Sequence, residues 1–432
     1  MIQDTINVEI AGGLDFSLSK MVRVQQKFKA PRIDDIASTI QEEFSRESIK
    51  NKVSPDQKIA VGCGSRGIAN IATITKVVID ELIKLGAKPF IFPCMGSHGA
   101  ATADGQKQVL AGYGITEETM SVPIRATMET EIVGHLDDGT PVHMDKNAAH
   151  ADGIVVINRI KPHTAFRGPT ESGLTKMLAI GIGKINGAST YHQHGMDLFP
   201  TLLPKICDVN INARNILFGV GIVENAFDQT AVIEIIPAEQ IQEKEPALQL
   251  LAKQNMPKLN FSKIDVLVID EMGKNISGAG FDPNITGRNR RAVEWSNGLH
   301  VKKIVVLSIT PESHGNATGI GGADTTTMRL YRDIDISATY ANVITSMNLD
   351  GAAIPIIMNS DKDAIALAIR TVVKTKPEDC RVVRIKNTLS LGEIEVSQNM
   401  IDEVQKNPDL FKIISGAQDW KFDSDSNLHI CD

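Results

Sequence analysis

The sequence predicts an α/β protein with two α/β domains, mainly parallel sheets and an active-site cleft between the domains. Three observations favour this fold class. Apolar β-branched runs alternate with amphipathic stretches, which is the pattern of βαβ units. Glycine-rich loops follow several of these runs, and a linker-like stretch at residues 254–261 separates two such series. The chain of 432 residues is long enough for each series to bury a core.

We expect the first domain over residues 1–258. Its predicted strands are short apolar or alternating runs, at residues 6–10, 21–25, 58–61, 89–93, 153–158 and 216–223. Its predicted helices have apolar residues at helical spacing, at residues 34–44, 71–85 and 237–253. Strands that alternate with helices predict a parallel sheet with right-handed crossovers.

We expect the second domain over residues 259–400, followed by a helical segment over 401–432 that packs back on the first domain. The predicted strands lie at residues 264–270, 303–309, 355–358 and 380–385. The predicted helices lie at residues 364–373 and 398–406. This second series therefore predicts another α/β domain.

Composition excludes several classes of function. The net charge of −7, without a Lys/Arg cluster, argues against a nucleic-acid partner. The five cysteines are scattered and never spaced as C-x-x-C, which is typical of a reduced compartment and predicts no structural zinc or iron–sulfur site. No export signal or membrane span is evident in the sequence. We expect a soluble cytoplasmic protein.

Three polar side chains follow predicted strands directly. Arg66, His98 and His163 each lie just beyond the carboxyl end of a strand, where open α/β sheets bind their ligands. The loop at residues 62–67 offers backbone N–H groups before a helix, so an anion could sit there beside Arg66. A tight turn with a surface arginine is the alternative, since the loop matches neither a dinucleotide nor an ATP motif.

The two histidines are candidate proton shuttles, because imidazole titrates near neutral pH. His98 lies between two glycines, and His163 follows a stiffening proline. A histidine hydrogen-bonded within its own loop is the alternative for both. Arg167, four residues beyond His163, or Lys161 could hold a substrate carboxylate.

Lys176 precedes an apolar run, so its stem would enter a dry environment that makes a neutral, nucleophilic amine accessible. A snorkelling lysine at a helix start is the alternative. Of His192 and His194, one could serve as a metal ligand. In the second domain, Lys274 and Asn275 lie in a polar loop at a strand end, where they could face the cleft or serve the loop itself.

The order of these motifs resembles the lactate racemase family that depends on a nickel-pincer nucleotide. The residues that carry the resemblance are the loop with Arg66, Ser97-His98-Gly99, Pro162-His163, Phe166-Arg-Gly168, Gly173-x-x-Lys176 and His192. The resemblance is firmest over residues 58–196 and thinner through the second domain.

The resemblance implies a pyridinium mononucleotide covalently attached to Lys176, with nickel bound by two sulfurs and a ring carbon. His192 would be the protein's nickel ligand, with His194 as the fallback. The remaining cofactor contacts would come from Gly64, Ser65, Arg66, Lys274 and Asn275. Cofactor biosynthesis proteins would be needed for activation.

The resemblance also implies the reaction, racemisation or epimerisation of a 2-hydroxy acid by transient hydride transfer. His98 and His163 would be the two acid/bases. Differences from the family's pattern, at Cys63, Gly67 and Gly173-Leu-Thr175, suggest a substrate larger or more polar than lactate.

Two alternatives stay open. One is a zinc or other metal hydrolase or lyase with His163, His192 and His194 as ligands, although no carboxylate base stands at motif spacing. The other is a non-catalytic protein that binds an anionic metabolite through its glycine loops.

Overall fold

The chain forms two compact units in a computed structural model that describes residues 5–6, 8–65, 67–288 and 298–428. The N-terminal unit comprises residues 29–256, and the C-terminal unit comprises residues 1–28 and 257–432. The predicted α/β class with mainly parallel sheets is confirmed. The boundaries differ from the predicted ones because strand β1 (Met21–Gln26) and a strand after residue 401 pair within the C-terminal unit.

The N-terminal unit contains a five-stranded sheet and a separate hairpin. Its strands are β2 (Lys58–Cys63), β3 (Lys88–Pro93), β4 (Thr130–His135), β5 (Pro141–Asp145), β6 (Gly153–Arg159), β7 (Ile216–Glu224) and β8 (Thr230–Pro237). The sheet order is β3-β2-β6-β7-β8, in which β8 is antiparallel to β7 and the other pairs are parallel. Strands β4 and β5 form the hairpin.

The helices of this unit cover both faces of the sheet. They are α1 (Ile36–Ser45), α2 (Glu47–Lys50), α3 (Ile71–Lys84), α4 (Ala103–Gly112), α5 (Glu117–Met120), α6 (Lys146–Ala149), α7 (Leu174–Lys176), α8 (Lys184–His192), α9 (Phe199–Ala213) and α10 (Ile241–Asn255). A π-helical turn, Met177–Gly181, follows α7. The helix predicted over residues 237–253 is observed as α10, which begins at Ile241. Strand β8, which ends at Pro237, was not predicted.

Alternate residues of the central strands enter two different clusters of buried side chains. Val61 and Ile157 belong to one cluster, and Ala60 and Val156 belong to the other. Strands buried on both faces read as continuous apolar runs, which is why the parallel strands were predictable from sequence. The same arrangement brings the carboxyl ends of β3, β2 and β6 to one edge of the sheet.

The C-terminal unit is built on an eight-stranded mixed sheet of order β12-β11-β10-β9-β13-β14-β1-β15. Besides β1, its strands are β9 (Lys263–Met272), β10 (His300–Ile309), β11 (Thr325–Thr327), β12 (Ile356–Met358), β13 (Val382–Ile385), β14 (Glu393–Ser397) and β15 (Phe411–Ile413). Its helices are α11 (Pro283–Thr286), α12 (Met328–Arg332), α13 (Ile336–Thr345), α14 (Asp361–Arg370) and α15 (Ile401–Lys406). In the described part of the chain, we find no helix of the length and hydropathy needed to span a membrane.

Candidate active site

Three loops leave the same edge of the N-terminal sheet. Ser65 follows β2, His98 follows β3, and His163 follows β6. The Ser65 hydroxyl and His98 Nδ1 share a hydrogen bond that joins the first two loops directly. The Tyr113 hydroxyl donates to the Ser65 carbonyl over 2.7 Å. Arg66, the predicted anion ligand, lies outside the described residues.

Gly64 allows the loop after β2 to pass close to β6. A Cβ at this position would lie 3.2 Å from Asn158 Oδ1, tighter than most real Cβ contacts. Asn158 in turn donates through Nδ2 to the Gly173 carbonyl over 2.9 Å, at the start of α7. Gly64 was predicted as a cofactor contact. In the structure it has a packing role, because it lets the loop approach Asn158.

The His98 loop is held against α4. His98 itself is exposed. Gln106, a fully buried residue of α4, donates through Nε2 to the carbonyls of Gly96 (2.9 Å) and His98 (3.2 Å). Gly99 has a φ of +65°, and a Cβ there would lie 2.6 Å from the Gln106 amide nitrogen, so the turn requires glycine.

His163 is held through its backbone and through one ring nitrogen. Its amide donates to Glu171 Oε2 over 2.8 Å, and its Nδ1 accepts from the Ala165 amide over 3.0 Å. Because a backbone N–H can only donate, the neutral ring carries its proton on Nε2. The ring stacks on Phe166 with 4.3 Å between centroids.

A buried carboxylate that sequence reasoning missed organises the same loop. Glu171 is 1% exposed, and its Oε1 lies 2.7 Å from Lys253 Nζ. Its Oε2 lies 3.3 Å from Arg167 Nη1, which also donates to the His163 carbonyl over 3.0 Å. Arg167, the predicted substrate ligand, therefore binds a carboxylate of the protein itself in this structure.

Lys161 closes the base of this loop through backbone hydrogen bonds. Its amide donates to the Ser172 carbonyl over 2.8 Å, and the Ser172 amide donates back over 3.1 Å. Burial raises the pKa of Asp228, and the charge of Lys161 is among the effects that lower it. The Lys161 side chain thus acts on an acidic residue beyond β7.

A second buried glutamate supports the segment that carries Lys176. Glu245 accepts from the amides of Leu174 (2.6 Å) and Thr175 (2.9 Å), so its carboxyl group caps α7. Burial raises the pKa of Glu245, and the hydrogen bonds from Thr175 and Leu174 oppose that shift. Lys176 is half-buried between the buried residues Thr175 and Met177.

His192 presents one ring nitrogen as a potential ligand atom. Its Nδ1 lies 2.5 Å from the Ala188 carbonyl, which can only accept, so Nδ1 carries the proton and Nε2 the lone pair. Burial lowers the pKa of His192; the bond to Ala188 raises it, and the positive charge of Lys176 lowers it. His194 is directed elsewhere, with Nε2 lying 3.3 Å from Thr140 Oγ1.

Two phenylalanines connect His163 with His192. Phe166 stacks on His163 and meets Phe199 edge-to-face at 5.6 Å between centroids. Phe199 also meets His192 edge-to-face at 5.2 Å. Across the ranges that the structure describes, no three His, Cys, Asp or Glu side chains gather as metal ligands, so the three-histidine site of the alternative interpretation does not form there.

The predicted residues of the C-terminal unit, Lys274 and Asn275, bind other residues of that unit. Lys274 Nζ donates to the Gly278 carbonyl (2.7 Å) and to Asn342 Oδ1 (2.8 Å). Asn275 Oδ1 accepts a hydrogen bond from the Thr310 hydroxyl over 2.6 Å.

Four buried polar residues support the segments described above and were not predicted from the sequence, namely Gln106, Glu171, Lys184 and Glu245. Glu245 lies in a charged helical stretch and carries no signal of burial in the sequence. Lys184 did carry one, because it stands in the same apolar, glycine-rich segment that singled out Lys176.

Comparisons with known proteins found a family model and solved structures that are similar to this chain. Residues 10–199 match the family model of the lactate racemase N-terminal domain. The structure resembles the lactate racemase apoprotein from Thermoanaerobacterium thermosaccharolyticum, with a TM-score of 0.50 and 12% identity over 85% of this chain and 94% of that chain. A protein from Thermotoga maritima gives a TM-score of 0.48 and 13% identity, over 82% and 96% of the two chains. No curated protein matches the sequence.

Proposed function

We propose that the chain, whose residues 10–199 match the family model of the lactate racemase N-terminal domain, is a member of that family and a racemase or epimerase of 2-hydroxy acids. One observation carries the proposal. His98 follows β3 and His163 follows β6, the parallel strands on either side of β2, so both lie at one sheet edge. The segment with Lys176 and His192 meets the His163 loop through Phe166 and Phe199.

The residues present fit the family's nickel-pincer nucleotide. Lys176 would tether it, and His192 would ligate the nickel through Nε2, because its Nδ1 is engaged by the Ala188 carbonyl. The position of His194 beside Thr140 supports His192 as the ligand. When bound, this group supplies a site that accepts a hydride and returns it.

The two histidines provide the proton chemistry. As hydride leaves C2 of the substrate, its hydroxyl proton passes to an imidazole and a keto acid forms. A proton returns to the oxygen when hydride returns to C2, and return on the opposite face inverts the carbon. His163 offers Nε2–H as a donor toward that oxygen. His98 has Nδ1 engaged by Ser65, so Nε2 is the atom that takes up or gives the proton.

We propose that Arg167 or Lys161 holds the substrate carboxylate, as both basic groups belong to the His163 loop. We further propose a substrate larger or more polar than lactate and a cytoplasmic location. Loading would depend on cofactor biosynthesis proteins. We propose no nucleic-acid partner, because the net charge is −7.

Intact mass and metal content of protein co-produced with the cofactor biosynthesis proteins test this proposal. We expect a covalent adduct and about one nickel per chain, and racemisation of at least one acid in a panel of 2-hydroxy acids. Lys176→Ala should lose the adduct and the activity, whereas the exposed Lys205→Ala, on the same unit, should keep both. Protein that is co-produced with the biosynthesis proteins, yet carries no adduct and no nickel and racemises no acid, would refute the proposal.

A further inference from the structure

Lys184, the most deeply buried lysine of the N-terminal unit, lies between Lys176 and His192 in the sequence. Lys184 has no exposed surface, and its φ is +52°. Its Nζ lies 3.0 Å from Asp145 Oδ2 and donates to the Pro93 carbonyl (2.5 Å) and to Gln106 Oε1 (2.8 Å). Two hydrogen bonds and the ion pair with Asp145 therefore compensate for burial of the charge.

Lys184 also determines how Gln106 is oriented. The ammonium can only donate, so the amide oxygen of Gln106 must face it and the amide nitrogen must face away. That nitrogen donates to the carbonyls of Gly96 and His98. The orientation set by Lys184 is therefore what directs two hydrogen bonds into the loop that carries His98.

Two further bonds join this loop to the same segment. The Gly96 amide donates to the Gly181 carbonyl over 3.0 Å, and Cys94 Sγ donates to the Met177 carbonyl over 3.7 Å. The residues that bind the His98 loop thus lie along the chain that separates Lys176 from His192.

We propose that Gln106, oriented by Lys184, is a positioning residue for His98, and that this pair couples the segment carrying Lys176 and His192 to the loop carrying His98. The role of His98 as an acid/base rests on the proposed function, whereas its positioning by Gln106 does not. The pair touches no reacting atom and acts through the backbone of the loop.

Imidazole resonances of ¹⁵N-histidine-labelled protein, without cofactor, test the positioning. Gln106→Leu removes the two donors, and Gln106→Glu removes them while keeping an acceptor for Lys184. We expect both variants to shift the His98 resonances and leave those of His163 unchanged. The matched control is Gln249→Leu, because Gln249 is a buried glutamine that accepts from the Glu171 amide over 3.3 Å on the His163 side. It should shift His163 and leave His98 unchanged.

In the loaded enzyme, we expect Gln106→Glu to lower kcat about tenfold to a hundredfold with KM within about twofold, since misplacement of a catalytic group has effects of this size. Unshifted His98 resonances in both Gln106 variants would overturn the proposal, whatever happens to activity. His98 resonances that shift in the Gln106 variants, together with a cofactor-loaded wild type that racemises no acid, would support the positioning and refute the proposed function instead.

Discussion

The His98 loop and the His163 loop leave the two strands that flank β2, β3 and β6, at the same sheet edge, yet their imidazoles are held by different chemistry. His98 Nδ1 meets the Ser65 hydroxyl, and His163 Nδ1 meets the Ala165 amide. A hydroxyl can donate or accept, whereas a backbone amide can only donate. His98 can therefore keep its hydrogen bond whether or not Nδ1 is protonated, and His163 keeps its bond only when Nδ1 is unprotonated.

The supports behind the two loops differ in the same way. An uncharged amide, Gln106, holds the carbonyls of the His98 loop. A carboxylate, Glu171, holds the amide of His163 and pairs with Arg167 and Lys253. Equivalent placement in the fold thus does not imply equivalent roles, and His98 is better arranged for changes of protonation.

The largest effect should come from removing either imidazole. We expect His98→Asn and His163→Asn each to lower kcat by about 10²–10⁴, with the larger loss for His98→Asn because its ring can change protonation without losing its partner. Racemisation started from each enantiomer measures this. His135→Asn, an exposed histidine of β4, is the control and should retain full activity. A larger loss for His163→Asn would show that the contrast between the loops is wrong.

A smaller effect should separate substrate binding from loop support at Arg167. If its guanidinium holds the substrate carboxylate, Arg167→Ala should raise KM by at least about tenfold, since a charged hydrogen bond contributes about 1.5–3 kcal/mol. Lys253→Met is the matched control, because Lys253 shares Glu171 with Arg167. We expect Lys253→Met to leave KM nearly unchanged. An unchanged KM in Arg167→Ala would remove this residue from substrate binding.

The sequence was sufficient to place His98 and His163 but not to show what holds them. Both follow apolar runs, and the carboxyl ends of parallel strands meet at one edge, so local pattern decides their placement. Glu171, Gln106 and Lys184 act through contacts that depend on how distant segments pack, and no local spacing reports such contacts. The alternation at residues 21–25 likewise predicted a strand, but its pairing with residues 393–397 and 411–413 is long-range, which is why the predicted domain boundary differed.

The smallest effect concerns Glu245, which supports the segment that carries Lys176. Glu245 accepts hydrogen bonds from two amides and a hydroxyl. Glu171, by contrast, also pairs with the cations of Arg167 and Lys253. Its pKa in the folded protein is raised by burial, above about 4.3 in the unfolded chain. The folded protein therefore holds this proton over a pH range where the unfolded chain has lost it, and this contribution to stability declines as pH rises through the folded pKa.

Glu245→Gln removes that titration. Relative to Glu245→Gln, the wild type should lose on the order of 1 kcal/mol of unfolding free energy as pH rises from 4.5 to 7.5, the size expected for a buried, hydrogen-bonded charge. Urea unfolding at both pH values measures the difference. Glu243→Gln, an exposed position on the same helix, should show no such change. A wild type that gains stability over this range relative to Glu245→Gln would mean that the hydrogen bonds from the amides capping α7 outweigh burial.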